Sequence, residues 1–541
     1  MKNITFSPDL IPELTEMPVF RLGPPTLAQE DMIRRFVHTA APQAEFKPLG
    51  HTGLQAVHDG KRLISFINPA TGESMLFPGL GGLKPGKGLA ARANVVAARM
   101  ALDKTLFPTD GTVVSALPAM TLMGATQVKG RERSESQEYL SFVRFQRRVN
   151  GLPVWGPGTR AMVAVDANGT ICGFAHRWSK AVITGDHVKA AARTTLVRSI
   201  KAQIVKGALG GNVNVDRVTT GYYDSGGGLL QPVHRFEATI EHTRLEELRS
   251  HPATKHTRLG ELRSHPAASH IVGYSSIRTA LEPLPEVGVL RGYPPAYAPN
   301  VRRKPMGRDG DPTIGRYVVQ NAETGFVSSA NSFLNGLQLS SLVSTIPFTD
   351  SQYYWAEPRL FLDEKDSFVN SVHIALADVH GNWWKLWLDK KDGDANVFLQ
   401  DIPSGGYGGP GSALAYLIIH SCSVIPTQTD APRSFDVWWN IFQGIHAVMS
   451  YRTEMFIDDG VMLPFGSWIG LGAPVVSSWL NSVALDDSYG PGAVYYDANR
   501  EMVEPMGRAS VVAAYGHVDD TVNDLGSLGP AEGLIELWFD N

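Results

Sequence analysis

Two apolar runs in this chain end on residues able to do chemistry. Val372-His373-Ile374-Ala375-Leu376-Ala377-Asp378-Val379 leads into His380-Gly381, and Leu417-Ile418-Ile419-His420-Ser421 leads into Cys422-Ser423. Each run reads as a buried strand that stops on a polar, reactive side chain. In an open parallel sheet, ligands bind at the carboxyl ends of strands. If the two runs are neighbours in one sheet, His380 and Cys422 emerge at one edge, although 42 residues separate them in sequence. An imidazole beside a thiol is the smallest apparatus for a cysteine nucleophile, because the attacking species is the thiolate.

The other reactive residue types have simpler readings. His420 lies two residues before Cys422 on the same strand face, where it points parallel to the sulfur rather than at it. His373 and His446 read as core histidines, and Cys172 as a small hydrophobe in a strand. Asp458-Asp459-Gly460 has the form of a turn, and even with Asp378 it makes a poor cation site. Gly81 to Gly88 follows the spacing of a phosphate loop but lacks the Ser or Thr that would hold magnesium. No G-x-S-x-G elbow and no His-Glu-x-x-His occurs. No metal and no cofactor is implied.

The chain has 541 residues, more than one ordinary core accommodates. Its 43% hydrophobic and 19% charged content is globular. A net charge of −4 gives no electrostatic case for nucleic acid or an anionic membrane. No apolar run reaches the ~18 residues of a spanning helix. Two distant cysteines make no disulfide framework, and Pro8 and Pro12 interrupt any signal-like segment. The expectation is a cytoplasmic protein acting on a peptide or small molecule, in no particular oligomeric state.

The elements that must hold these residues divide into two styles. In the first 282 residues, helices at 26–40, 90–104 and 187–205 are followed by paired strands, as at 53–57 and 62–67 around the Asp59-Gly60 turn, or at 218–223 and 233–240. The segment His242 to Ala253 recurs at His256 to Ala267, with Glu246 becoming Gly260. Two copies are too few for a solenoid, so a charged insertion at 242–270 is the reading. Residues 283–312, rich in proline and arginine, read as a linker. From 313 onward strands alternate with helices: 330–342 helix, 368–379 strand, 412–421 turning into strand, 434–443 helix, 444–451 strand, 475–485 helix. That alternation indicates an α/β domain with a mainly parallel sheet.

Two resemblances sharpen this. Phe145-Gln146-Arg147-Arg148-Val149-Asn150-Gly151-Leu152-Pro153-Val154-Trp155-Gly156, with Val165-Asp166, Asn168-Gly169 and Gly173-Phe174, resembles the propeptide (PepSY/FTP-like) domains that precede thermolysin-type metallopeptidases. The resemblance implies α+β modules, each a helix packed on a curved antiparallel sheet. Val379-His380-Gly381 and Ser421-Cys422-Ser423, in that order, with the stretch Trp438 to Tyr451, resemble the gingipain, caspase and legumain group of cysteine peptidases. That likeness implies a caspase-like α/β domain over 313–541. It gives Cys422 the role of nucleophile and His380 that of proton donor to the leaving group. The Gly381 amide becomes an oxyanion donor.

The expected function is therefore acyl transfer by a Cys–His dyad, most simply peptide hydrolysis. One rival keeps the fold but acts on a small molecule by general acid/base chemistry, in a pocket lined by residues such as Trp383, Tyr407, Tyr451 and Asp378. Another rival is a peptidase-like protein that only binds partners. Fold alone does not choose between them.

Overall fold

The computed structural model describes residues 3–24, 27–40, 45–49, 53–103, 106–107, 112–207, 212–241, 268–285, 311–319, 324–341, 346, 348, 350–388, 396–431, 433–457, 460–490, 493–496 and 502–540. Most of the proline-rich stretch (286–310), both copies of the repeat (242–267) and the Asp458-Asp459 pair lie outside the described residues.

The first half contains α1 (Leu27–Ala40), β1 (Leu54–Asp59), β2 (Arg62–Asn68), β3 (Glu73–Leu76), α2 (Leu89–Ala101), β4 (Met120–Val128), β5 (Gln137–Val149), β6 (Ala161–Asp166) and β7 (Ile171–His176). It continues with α3 (Arg193–Gly207), β8 (Asn212–Asp224), β9 (Leu229–Glu241) and β10 (Ala268–Ser276). The second half contains β11 (Thr313–Val318), α4 (Thr324–Ser341), β12 (Asp350–Trp355), β13 (Ile374–Asp378), β14 (Tyr416–His420) and β15 (Ala447–Tyr451). It closes with α5 (Met462–Gly470), α6 (Val475–Leu485), β16 (Ala509–Ala514) and β17 (Gly533–Asp540).

The architecture is mixed α/β, with most regular structure in sheet. Five parallel strands run in the order β12-β11-β13-β14-β15. Strands β13, β14 and β15 are nearly unbroken apolar runs, as expected of strands covered on both faces, whereas β12 at the edge is Asp350-Ser351-Gln352-Tyr353-Tyr354-Trp355. Antiparallel β16 and β17 extend this sheet. The sheet does not stop there. β17 pairs with β4 of the first half along its whole length, from Gly533↔Val128 to Asp540↔Thr121. It then continues antiparallel through β5, β6, β7, β3, β2 and β1. A second antiparallel layer contains β8, β9 and β10.

The two halves expected from the sequence thus share a sheet and also an apolar core. Phe142 meets Phe539 edge-on at 5.3 Å, and Phe77 meets Trp468 at 5.7 Å. The carboxylate of Asp519 receives the amides of Leu80 and Gly81 at 2.7 and 3.0 Å. A division that composition suggests at 283–312 is bridged by backbone hydrogen bonds elsewhere.

Several element boundaries differ from the sequence reading. The helix expected from residue 187 begins at Arg193, because Ala181–Lys189 is a strand on Glu16–Leu22. The strand expected over 368–379 is extended only at Ile374–Asp378. Phe368 to Ser371 turns instead, with Ser371 N–H bonding to Phe368 O at 3.0 Å. The helix expected over 434–443 is a 3-10 turn followed by one α turn, Trp438–Ile441. The Val475–Leu485 helix has the expected bounds.

Helix α4 reaches the strand ends, with Ser329 against His420 and Phe326 against His380. It lies directly on α5, and glycines permit the contact. A Cβ on Gly336 would fall 2.4 Å from Leu463 O, and one on Gly466 would fall 2.3 Å from Phe333 O. Only glycine allows backbones this close. The contact sets the face of α4 that carries Phe326 and Ser329 over the carboxyl ends of β13 and β14.

Candidate functional site

β13 and β14 are in parallel register from Ile374↔Tyr416 to Asp378↔His420. Their carboxyl ends therefore meet at the same edge of the sheet. Asp378 and His420, the last paired residues, are both fully buried and joined by a 2.6 Å contact between Oδ1 and Nδ1. Ser329 of α4 lies 3.2 Å from the same Nδ1. Tyr451, at the end of β15, flanks the His420 ring at 6.0 Å.

Two residues further along each strand stand His380 and Cys422, both partly exposed. The backbone keeps the two segments together past the last sheet pair. Val379 N–H bonds to His420 O at 3.4 Å, and Trp384 N–H to Val424 O at 3.0 Å. Between these bonds, Gly381 packs so tightly that a Cβ would lie 2.4 Å from Val424 Cγ2 and 2.5 Å from Ser421 Oγ. The buried Ser421 hydroxyl has no hydrogen-bond partner among the described residues. Ser423 adopts φ +52°, a left-handed conformation that costs a non-glycine residue energy. It turns the chain sharply just after Cys422, where Ser423 N–H is held by Thr453 O at 3.0 Å.

The immediate contacts of the two candidates run to different partners. Cys422 Sγ lies 3.9 Å from Met455 O. The His380 ring packs edge-on against Phe326 of α4, with centroids 5.0 Å apart. After His380 the chain folds into a small hairpin, His380–Asn382 with Lys385–Trp387, whose tip carries Trp383. Cys172 sits differently. Its sulfur lies 3.6 Å from Ala164 O within the first-half sheet, and burial pushes its thiol up to about 12.

The residues expected to line a pocket are distributed unevenly. Trp383 is partly exposed on the hairpin. Tyr407 is fully buried and donates its hydroxyl to Phe361 O at 2.9 Å, so it holds the glycine-rich loop to the body. Tyr451 is likewise fully buried, against Trp479 and Tyr489. Asp378 is beneath the edge rather than on it. The aromatic side chains are large enough that core packing claims most of them.

A cleft of about 580 Å³ opens elsewhere along this edge. Arg160, Tyr223 and Tyr274 line it from the first half, and Ser329, Asp486 and Asp487 from the second. Sequence reasoning did not find it, because its walls come from segments remote in the chain. Asp487 is oriented by Arg144 at 2.7 Å and by Gly156 N–H at 2.6 Å, and Asp486 by the amides of Gly460 and Ser488 at 2.8 Å each. Ser329 both lines this cleft and touches His420. It therefore links the open cleft with the buried Asp378–His420 pair.

Among known families, residues 314–510 match a domain of unknown function, DUF6345. That stretch runs from β11 into β16 and contains Asp378, His380, His420 and Cys422. No curated protein matches the chain. A crystal structure of an uncharacterized protein from Eubacterium rectale is similar at 10% identity, covering 51% of this chain and 88% of that one, with a TM-score of 0.28.

Proposed function

We propose that the carboxyl edge of the parallel sheet is the active site of a cysteine-nucleophile acyl-transfer enzyme of caspase-like design, most simply a peptidase. The observation that carries this reading is the pairing of Asp378 with His420. In-register strands, stitched onward by the Val379 and Trp384 amides, bring the partly exposed His380 and Cys422 to neighbouring positions just beyond that pair. In this reaction the Cys422 thiolate forms a bond to the substrate carbonyl carbon. The oxyanion collapses, the amide C–N bond breaks, and His380 passes a proton to the departing amine. Water then attacks the thioester carbonyl, giving one proton to His380; the C–S bond breaks, restoring the Cys422 thiolate, and the acyl group leaves as carboxylate with its proton passing to solvent. Gly381 serves by its missing side chain as much as its amide, since the close packing there admits no Cβ. The buried Asp378–His420 pair supports the edge from below. The propeptide-like first half acts in this reading as a permanent wall of the molecule, given the shared sheet.

The test is kinetic and chemical. Fluorogenic peptide libraries should be turned over by the intact chain, and Cys422→Ala and His380→Ala should each abolish turnover without unfolding it. The double variant should lose little more, since such residues act as a unit. Brief iodoacetamide treatment at neutral pH should label Cys422 well before Cys172, whose thiol burial keeps protonated. Full activity in Cys422→Ala, or faster labelling of Cys172, sinks the proposal.

A second reading rests on Ser329. Its position between the 580 Å³ cleft and the His420 ring favours general acid/base action on a small polar molecule bound there. In that case Ser329→Ala and His420→Gln lose activity while Cys422→Ala keeps it.

A further inference from the structure

The opposite edge of the sheet carries a second cluster, independent of the function proposed above. His446 immediately precedes β15, at the amino end of the parallel strands, and is buried. The turn after antiparallel β16 returns to this edge and brings His517 and Asp520 with it. His446 Nδ1 lies 2.6 Å from Asp520 Oδ2, and His517 Nδ1 lies 2.8 Å from the same oxygen. One potential ligand atom from each residue falls within 4.8 Å of the others.

We propose that His446 Nδ1, His517 Nδ1 and Asp520 Oδ2 form a binding site for a divalent metal ion of the zinc class. The argument starts from the far nitrogen of His446. Its Nε2 lies 2.7 Å from Gly526 O, and a carbonyl oxygen can only accept, so Nε2 carries a hydrogen. In the neutral ring Nδ1 is then a lone pair, aimed at a carboxylate oxygen. Two lone pairs at 2.6 Å repel, so a ring proton lies between them, or the two atoms share a metal ion, for which bonds of about 2.0–2.1 Å require them to part to about 3.3 Å. A backbone carbonyl that fixes the outer nitrogen of a histidine is the usual outer-sphere partner of a metal-binding imidazole. Asp520 supplies the charge.

The ligand set of two imidazoles and one carboxylate suits zinc or cobalt, and three protein ligands leave a position open. That opening lies on the side of His517, whose side chain is 38% exposed against 3% for His446. The cluster is held firmly in place. Asp520 O accepts the first amide of α6 from Val475 at 3.0 Å, Tyr416 donates its hydroxyl to Thr521 O at 3.0 Å, and Asp519 grips the first-half loop at Leu80. An ion there would tie β15 to the turn that fastens the two halves.

The experiment uses the full chain, stripped with a chelator and titrated with zinc and with cobalt. Calorimetry should show one stoichiometric site, cobalt should give visible ligand-field bands of low symmetry, and zinc should raise the melting temperature. His517→Ala, a change at a partly exposed turn, and the isosteric Asp520→Asn should each weaken binding by at least about tenfold, the scale on which even outer partners matter. Cys422→Ala should bind as the parent does. Uptake that survives unchanged in both ligand variants belongs to other histidines, such as His251 and His265 of the repeat, and overturns the proposal. So does absence of stoichiometric uptake.

Discussion

The two halves treat their buried histidines in opposite ways. In the first half, His176 faces Leu106 O, His234 faces Thr220 and His270 faces Thr239, and none of these partners carries charge. Burial pushes all three down to about 4, so they are neutral packing residues. In the second half, His420 and His446 each meet an aspartate at 2.6 Å. His373, bonded to Thr313, is the second-half histidine that follows the first-half pattern. Burying neutral histidines costs little once each has a hydrogen bond, whereas buried ionic pairs carry a desolvation penalty. Among the described residues, the buried histidine–aspartate pairs lie at both edges of the second half's sheet, whereas the buried ion pair of the first half, Arg235 with Glu237, contains no histidine. Both the proposed active site and the proposed metal site lie at those histidine–aspartate pairs.

The largest test of this contrast is acid. A histidine lowered to about 4 in the fold, against about 6.5 unfolded, contributes stability that is full above pH 6.5. Below that the unfolded chain binds more protons, and the contribution falls until pH 4 is reached. Three such histidines, each up to about 1.4 kcal/mol per pH unit, should make the chain lose several kcal/mol between pH 6.5 and 4.5. Denaturant melts across this range, with His176→Gln and His234→Gln flattening the slope, check it. An unchanged midpoint would mean that these rings are protonated in the fold.

Next comes the buried pair. Asp378→Ala leaves His420 sealed without its carboxylate and should cost about 3–5 kcal/mol in chemical denaturation. If it is tolerated within 1 kcal/mol or so of the parent, the pair is not the support of the edge that the geometry makes it. Gly381→Ala should cost about 1–3 kcal/mol, because the new methyl must displace Val424 or Ser421. It should also slow Cys422 alkylation by moving His380. The smallest effect belongs to the open cluster. Without metal, His517→Ala should cost under about 1 kcal/mol, as for other exposed ion pairs. A cost as large as that of Asp378→Ala would erase the distinction between a sealed pair and an accessible one.

Three of the five parallel strands, β13, β14 and β15, were legible because they are apolar runs bounded by breakers, whereas β11 and β12, with Arg316 and Asp350-Ser351-Gln352, gave no such signal. Ile374–Asp378 and Tyr416–His420 lie within the segments read as strands, and the same runs announce His380 and Cys422 as edge residues. The hairpin at Asp59-Gly60 was legible from its turn chemistry. Less readable were segments whose form depends on a partner. Ala181–Lys189 is extended because Glu16–Leu22 pairs with it, and no local pattern announces that strand 160 residues away. Phe368 to Ser371 turns under tertiary packing despite its apolar content.

By itself, the sequence determined that two apolar strands would run up to His380 and Cys422, that the chain would mix helix and sheet, and that no helix among the described residues would be long and apolar enough to cross a membrane. Those outcomes follow from local hydrophobic period and residue chemistry, which act over a few residues. Only the tertiary structure decided that Asp378 and His420 pair, that Ser329 reaches them, and that His446, His517 and Asp520 converge at the far edge. It also decided that β17 joins β4, making one sheet of two stretches that composition separates. Each of these is a meeting of residues distant in the chain. Register, helix packing through glycine and the closure of loops set such meetings, and no short window of sequence encodes them.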